Sequence, residues 1–248
     1  MRDYVTSANL PGMVDLVHWH TFDGKMLGPD STVIDLGANR GEFLSKVSKV
    51  YGCSTLVAVE PNPELLKALA ARSELIAINA AVSGSRGEAR FAIDPNDLAS
   101  RVVSRQTATD PAIVTVELIT LEDVFARAGV SKVDLLKVDI EGEEIPILDA
   151  VSDETLRNIA QITIEFHDFC GLVSVNEVRR TISRLKNLGF YAARMSRIGH
   201  QDTWFINTKF RRVGPQMKVK IILLKYVRGI MRVWHKATKG STWYLAYD

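Results

Sequence analysis

Cysteine is nearly absent: Cys53 and Cys170 are the only two in 248 residues. So small a supply excludes a disulfide scaffold and a cysteine-rich zinc site, and it suits a reducing compartment. The N-terminal Met1-Arg2-Asp3-Tyr4-Val5-Thr6 lacks the apolar core of a secretory signal peptide, so a cytoplasmic location is expected. Internal repeats and low-complexity tracts are missing too. There is no G-x-G-x-x-G fingerprint in the one glycine loop where it would matter. Ala38 and Asn39 stand where a dinucleotide fold wants its second glycine, and no P-loop lysine follows. Acid is scarce at one end. Residues 203–248 carry 10 basic and one acidic side chain, net +9, whereas residues 1–202 carry 21 and 28, net −7. Hydrophobic residues make up 46%, enough for the core of one α/β domain with an appendage.

What is present is organised around Val33-Ile34-Asp35-Leu36-Gly37-Ala38-Asn39-Arg40-Gly41-Glu42-Phe43. Val33, Ile34 and Leu36 read as a short buried strand, and Gly37 and Gly41 as a tight turn. Phe43, Leu44, Val47 and Val50 form the apolar stripe of a helix that Gly52 ends. A strand, a glycine loop and a helix N-terminus make a nucleotide pocket at the carboxyl edge of a parallel sheet. Asp35, just before the loop, would repel phosphates and accept hydrogen bonds from a cationic, amino-bearing ligand. Glu60 closes the next apolar run, Leu56-Val57-Ala58-Val59, where ribose hydroxyls would lie. The pattern D-x-G-x-x-x-G, with an acid ending the second strand, resembles the S-adenosylmethionine (SAM) site of Rossmann-like methyltransferases.

In chain order, residues 1–30 form a lead-in with one expected helix, Pro11 to about Phe22. Within it, His18-Trp19-His20 is expected to pack against the sheet, with acceptor contact as the alternative. Histidines at i and i+2 do not share a helix face, so they make no metal pair. Pro61-Asn62-Pro63-Glu64 starts a helix, with Asn62 as cap and Pro63 at the first position. A strand at Leu75–Ile78 ends in Asn79, which would serve either the adenine edge or a turn. Residues 94–112 are polar and aperiodic, and a loop of that length suits acceptor contact. Strands at Ile113–Leu118, Val133–Val138 and Ile159–Phe166 follow, the last two ending in Asp139-Ile140-Glu141-Gly142-Glu143-Glu144 and Glu165-Phe166-His167-Asp168. Thr120 and the capping box Ser174-Val175-Asn176-Glu177 open helices. Phe190–Met195 and Thr203–Asn207 read as the last strand pair. The order predicts a Rossmann-like, doubly wound sheet over residues 31–208 whose final strand runs antiparallel, followed by a basic extension at 209–248.

Five runs in register, VIDLGANRGEF, VAVEPNPEL, AAVSGSRGEARF, ITLEDV and LLKVDIEGEEIPIL, resemble the FkbM-type SAM-dependent methyltransferases over about residues 30–207. K-x-D-x-E-G after the fourth strand is the most diagnostic, and Glu144 and Pro146 depart mildly from the usual run. The resemblance implies the class I methyltransferase fold and an O-methyltransferase acting on a sugar hydroxyl of a glycan or glycoconjugate, or on a polyketide or other small-molecule hydroxyl. It implies that Asp35, Gly37, Asn39, Gly41 and Glu60 hold SAM, with Ala38, Pro61 and Asn79 beside them. Lys137, Asp139, Glu141 and Glu165 would sit at the reaction edge. An alcohol needs its proton removed before it attacks, so a base or a metal is expected. His167 titrates near neutrality and serves as the candidate base, with Lys137, Asp139 and Glu165 as its catalytic companions. Asp139, Glu141 and Glu165 offer oxygen ligands to a divalent cation such as magnesium. Methylation of nucleic-acid amino groups is disfavoured, since Asp139-Ile140-Glu141-Gly142 replaces the expected N/D-P-P-Y/F motif. A non-catalytic module with the same fold is disfavoured by the density of acids around Asp139.

The tail predicts a helix from Met217 to about Lys236. At 100° per residue, Lys218, Lys225, Arg228, Arg232 and Lys236 form a basic stripe. Ile222, Leu223, Tyr226, Ile230, Val233 and Trp234 fill another face, while Lys220 and Ile221 break the separation. So many cations exclude a membrane span. Such a helix suits the surface of an anionic bilayer, at the inner face of the membrane. Packing on the body or on a second subunit, with the basic stripe in solvent, is the first expectation, the bilayer surface the second and nucleic acid the third.

Overall fold

The computed structural model describes residues 15–17, 20–93, 101–103, 113–197 and 199–239. The chain opens with β1 (Asp15–Val17) and β2 (His20–Phe22), followed by β3 (Thr32–Leu36), α1 (Glu42–Tyr51), β4 (Thr55–Val59), α2 (Pro63–Ala70) and β5 (Leu75–Ile78). Next come β6 (Ala81–Val82), β7 (Gly87–Ala92), β8 (Arg101–Val103), β9 (Ile113–Ile119), α3 (Leu121–Ala128) and β10 (Leu135–Val138). The remainder is α4 (Glu144–Ala150), α5 (Asp153–Arg157), β11 (Gln161–Ile164), α6 (Val175–Asn187), β12 (Phe190–Arg194), β13 (Thr203–Asn207) and α7 (Pro215–Lys239).

Seven strands form the main sheet in the order β12-β13-β11-β10-β3-β4-β5, with β13 antiparallel to both its neighbours. This is the doubly wound sheet with an antiparallel last strand that the order of elements predicts. Its strands are Val-, Ile- and Leu-rich because both faces are covered. Ile34, Leu36, Val57, Val59, Leu136, Val138, Ile162 and Ile164 pack on one side with residues of α3, α4 and α6. On the other side Val33, Leu56, Ala58 and Leu135 meet Phe43, Leu44 and Val47 of α1. Val50, expected in that stripe, is 56% exposed, and Tyr51 packs against this core in its place.

Local capping follows the sequence closely. Asn62 accepts from the Glu64 amide, and Thr120 and Ser174 form reciprocal capping boxes with Asp123 and Glu177. Gly52 and Gly129 end their helices in the left-handed conformation.

Two features were not foreseen. Of the expected helix from Pro11 to Phe22, residues 11–14 lie outside the described residues, and Asp15–Val17 and His20–Phe22 are instead an antiparallel strand pair, with Leu16 opposite Thr21 and Val17 opposite His20. Tertiary hydrogen bonds decide the matter. Thr21 donates through its amide (3.1 Å) and hydroxyl (2.5 Å) to Asp202, and Gln161 exchanges bonds with the Asp23 backbone. His18 and Trp19 lie outside the described residues. The second feature is a separate four-stranded sheet, β6-β9-β7-β8, beside the end of β5. Of the expected acceptor loop at 94–112, Arg101–Val103 is a strand of this sheet and the rest lies outside the described residues.

Candidate active site

Two loops face each other at the carboxyl edge, residues 37–41 after β3 and residues 139–143 after β10. Gly37 has φ +78°, and a Cβ there would stand 2.0 Å from the Asp139 carbonyl oxygen, so the loops meet backbone to backbone. Asn39 (φ 48°) and Glu141 (φ 50°) also adopt the left-handed conformation. Asparagine tolerates it; glutamate does so at a cost of about 1–2 kcal/mol, which the surrounding structure must hold. Glu60, at the end of β4, fixes the first loop. One carboxylate oxygen accepts from the Asn39 amide at 2.8 Å and the other from the Asn62 amide at 2.9 Å. Burial raises its pKa, and those two amides partly offset the rise. Asn79 donates to the carbonyls of Glu60 and Pro61 at 2.9 and 3.1 Å, the turn role rather than a free amide edge.

Between the loops lies a cleft that opens to solvent. Val59, Leu65, Ala80, Ala81, Val82, Phe91 and Ile140 make its apolar walls, and Gly37, Asn39, Glu60, Pro61, Asp139, Glu141 and Glu143 its polar ones. Ala38 is turned into the core, and Gly41 sits at the N-terminus of α1.

Beside the cleft lies a buried charge network set by strand register. Asp35 on β3 is the direct neighbour of Lys137 on β10, and Lys137 the neighbour of Thr163 on β11. Because side chains alternate, Asp139 and Glu165, two residues further on, emerge on the same face. Lys137 Nζ lies 2.8 Å from Asp35, 3.2 Å from the Gly37 carbonyl and 3.5 Å from Asp139. The cation on Asp35 is thus the chain's own lysine, while the second Asp35 oxygen is buried with no hydrogen-bond partner. Burial pushes the Asp35 carboxyl up to about 6 even with Lys137 beside it. Burial opposes charge on Lys137 as well, but Asp35 and Asp139 raise it above the usual ammonium range. Asp139 goes the other way: against burial, Lys137, His20 and His167 hold it well below the usual carboxylate range.

His167 is joined at Nδ1 to Glu144 (2.7 Å) and faces Glu141 (3.4 Å) and Asp139 (3.9 Å) through Nε2. Burial works against its charge, yet Glu144, Glu141 and Asp139 raise its pKa to about 9. It is therefore an imidazolium at neutral pH, which corrects the expectation of a histidine titrating near neutrality. Glu165 takes that position instead. Burial, and next the charge of Asp139, push it up to about 8. Glu144, merely a departure from the family run in sequence, is fully buried as the partner of His167 and of the Gly142 amide.

The structure brings Lys137, Asp139, Glu165 and His167 together, with Glu141 reached through His167. It adds His20, whose ring bonds Thr163 (3.3 Å) and lies 3.6 Å from Asp139. Among the described residues the trio spaced for a metal is His20, Asp139 and Glu165, with ligand atoms within 4.8 Å of one another, rather than Asp139, Glu141 and Glu165. Lys137 already neutralises Asp139, so a cation would have to compete with it. Gly37, Asn39 and Glu60 line the cleft where the expected sulfonium cofactor would sit, and Asp35 lies behind them, buried with one carboxylate oxygen unpartnered.

A family model described as the methyltransferase FkbM domain matches residues 35–191. The 31-O-demethyl-FK506 methyltransferase FkbM of Streptomyces tacrolimicus is 27% identical over 226 residues, covering 78% of this chain and 83% of that protein. The hexuronic acid methyltransferase AglP of Haloferax volcanii is 25% identical over 146 residues, 56% of each chain. Among solved structures, a methyltransferase FkbM from Methylobacillus flagellatus superposes with a TM-score of 0.50 at 12% identity. That superposition covers 73% of this chain and 44% of the other, and it is a likeness of fold. With the family match spanning both cleft loops, this chain belongs to the FkbM-type SAM-dependent methyltransferases.

Proposed function

We propose that the enzyme methylates a hydroxyl of a sugar in a glycan or glycoconjugate. The observation that carries the reading is the join between the apolar recess of the cleft and a cluster holding one carboxyl, Glu165, near pH 8. Bound SAM would supply an electrophilic methyl on a cationic sulfur. The 37–39 backbone, Glu60 and Pro61 would hold its polar parts, and Ala80, Val82 and Phe91 would offer an apolar wall to its ring. Glu165 is the residue placed to take the acceptor proton, since a base works best with a pKa near the working pH. Asp139 stays ionised and aligns the hydroxyl, and alignment supplies much of the rate in an in-line displacement. Lys137 and His167 keep Asp139 charged and in place.

The hexuronic acid methyltransferase among the relatives supports a sugar acceptor, and the FK506-modifying relative supports a polyketide hydroxyl as the second reading. Magnesium at His20, Asp139 and Glu165 is a second reading of the chemistry; loss of turnover on chelation, restored by magnesium, would favour it. The direct test is transfer of labelled methyl from SAM to uronic-acid-bearing oligosaccharides and to macrolide hydroxyls, read by mass spectrometry. Label on the macrolide with none on any glycan would sink the sugar reading.

A further inference from the structure

The final helix carries two apolar stripes where a surface helix needs one. Ile221 and Leu224 are buried against Trp204, Ile206 and Met195 of the sheet, with Met217 packed beside them. Ile221, which interrupts the pattern in sequence, is thus an anchor of the helix. Val219 (63% exposed), Ile222 (53%), Leu223 (53%), Tyr226 (67%) and Ile230 (69%) are in water. At about 100° per residue these five fall within about 100° of arc, centred opposite the anchored stripe. Lys218 and Lys225 border the outer stripe on one side and Lys220 on the other. Scattered exposed apolar residues mean little, but five on one face make a contiguous patch that marks an interaction surface.

The second observation is the cleft at the base of the same helix. It opens to solvent, and Lys25, Arg211, Arg212 and Lys220 are among the residues that line it. Asp23, the one acid lining it, lies 3.4 Å from Arg211. Between residues 203 and 247 the sequence has no acid at all. The cleft lies at the amino edge of the sheet, where Gln161 begins β11, and so at the opposite end from the catalytic loops.

We infer that this face of the protein, the outer stripe of α7 together with the basic cleft, docks on an anionic lipid surface. The stripe would enter the boundary between headgroups and acyl chains, the flanking lysines would reach the headgroups, and the cleft would take a lipid phosphate. Nucleic acid would neutralise the cations and leave the apolar stripe in water. A second copy would cover the stripe but press two all-basic flanks together, which is costly. Among the described residues no helix is long and apolar enough to cross a membrane, so the contact is in the surface plane. The inference stands apart from the acceptor's identity.

Flotation of the full-length chain with vesicles of phosphatidylcholine, alone or mixed with phosphatidylglycerol, tests it. The protein should float only with the anionic vesicles and be released by salt. Leu223→Glu with Tyr226→Glu should abolish flotation. Arg212→Gln with Lys220→Gln should lower it roughly 30-fold, since each cation near such a surface is worth about fivefold. All four substituted residues are exposed, and unchanged melting and S-adenosylhomocysteine binding would show that the fold is intact. Equal binding to neutral and anionic vesicles would overturn the inference. So would a dimer that the first pair of substitutions splits without any vesicle binding, or capture of RNA by a protein that ignores vesicles.

Discussion

The two loops that face each other across the candidate cleft are held by different means. Residues 37–41 take their shape from backbone: left-handed φ at Gly37, Asn39 and Gly41, and the amides of Asn39 and Asn62 that the Glu60 carboxylate draws together. Residues 139–144 and 165–167 take theirs from charge, with Lys137 and His167 balancing Asp139, Glu141 and Glu144. The first loop should therefore be intolerant of added atoms and indifferent to pH. The second should tolerate isosteric change in shape and respond to every proton.

The largest effect is expected at Gly37. A Cβ there meets the Asp139 carbonyl at 2.0 Å in a backbone already at φ +78°, so Gly37→Ala must push the two loops apart. A loss of more than about 3 kcal/mol in stability, together with loss of S-adenosylhomocysteine binding, is expected by melting and calorimetry. Gly52 is the control. It has φ +70° with nothing within 4 Å, so Gly52→Ala should cost only about 1 kcal/mol. Equal tolerance at both glycines would show that close approach does not shape the loop.

Lys137→Met comes next and attacks the other half. It strands Asp35 and Asp139 without their cation, and breaking a buried pair costs about 3–5 kcal/mol. Adding Asp35→Asn should recover much of that loss, because it removes the buried charge. A double variant as unstable as the single would mean that Lys137 acts by packing alone.

The same contrast explains what was legible in the sequence. The glycine loop, the strand ends and the helix caps are local, written within a few residues of one another, and so D-x-G-x-x-x-G and K-x-D-x-E-G could be read directly. Lys137 opposite Asp35 followed only once parallel strands were placed in register. Glu144 with His167 did not follow, because their contact joins positions 23 apart with no periodic signal between them. The hairpin before β3 was misjudged for a related reason. Leu16, Val17, His20 and Thr21 suit helical spacing as well as alternation, and the deciding bonds come from Gln161 and Asp202, far along the chain. The walls built by Ala80–Val82 and Phe91 were hidden because the second sheet is a tertiary arrangement that includes two strands too short to carry a pattern, Ala81–Val82 and Arg101–Val103.

Within the charged half, Glu165→Gln should lower turnover by roughly 10²–10⁴-fold, the usual range for a general base, and leave S-adenosylhomocysteine affinity nearly unchanged. In the parent enzyme kcat/KM should rise with pH through about 8 as Glu165 loses its proton. In the ternary complex the positive sulfonium would move the corresponding limb of kcat to lower pH. A limb that survives in Glu165→Gln would assign the proton transfer to another group.

The smallest effect is on stability, and it separates the two halves most cleanly. The folded protein binds the His167 proton more tightly than the unfolded chain does, with the pKa raised from 6.5 to about 9. Its stabilisation is therefore complete below about pH 6.5 and lost as pH climbs through 9, up to about 3 kcal/mol in all. Glu165, raised from 4.5 to about 8, acts with the same sign, its neutral form being favoured in the fold. Asp35, raised from 3.8 to about 6, also has this sign, but its contribution is spent before neutrality. Asp139 is held below its ordinary value, so its contribution is present above that value and disappears only in acid. Between about pH 7 and 9.5 the melting temperature should accordingly fall by several degrees. His167→Gln should flatten that slope, since it removes the larger part of the alkaline titration and leaves Glu144 a neutral hydrogen-bonding neighbour. Glu60→Gln, in the backbone-built half, should lower the whole curve without changing its slope over this range. Parallel curves for the parent and His167→Gln would mean that the imidazolium does not hold the second loop, and that the two halves of the cleft are built alike.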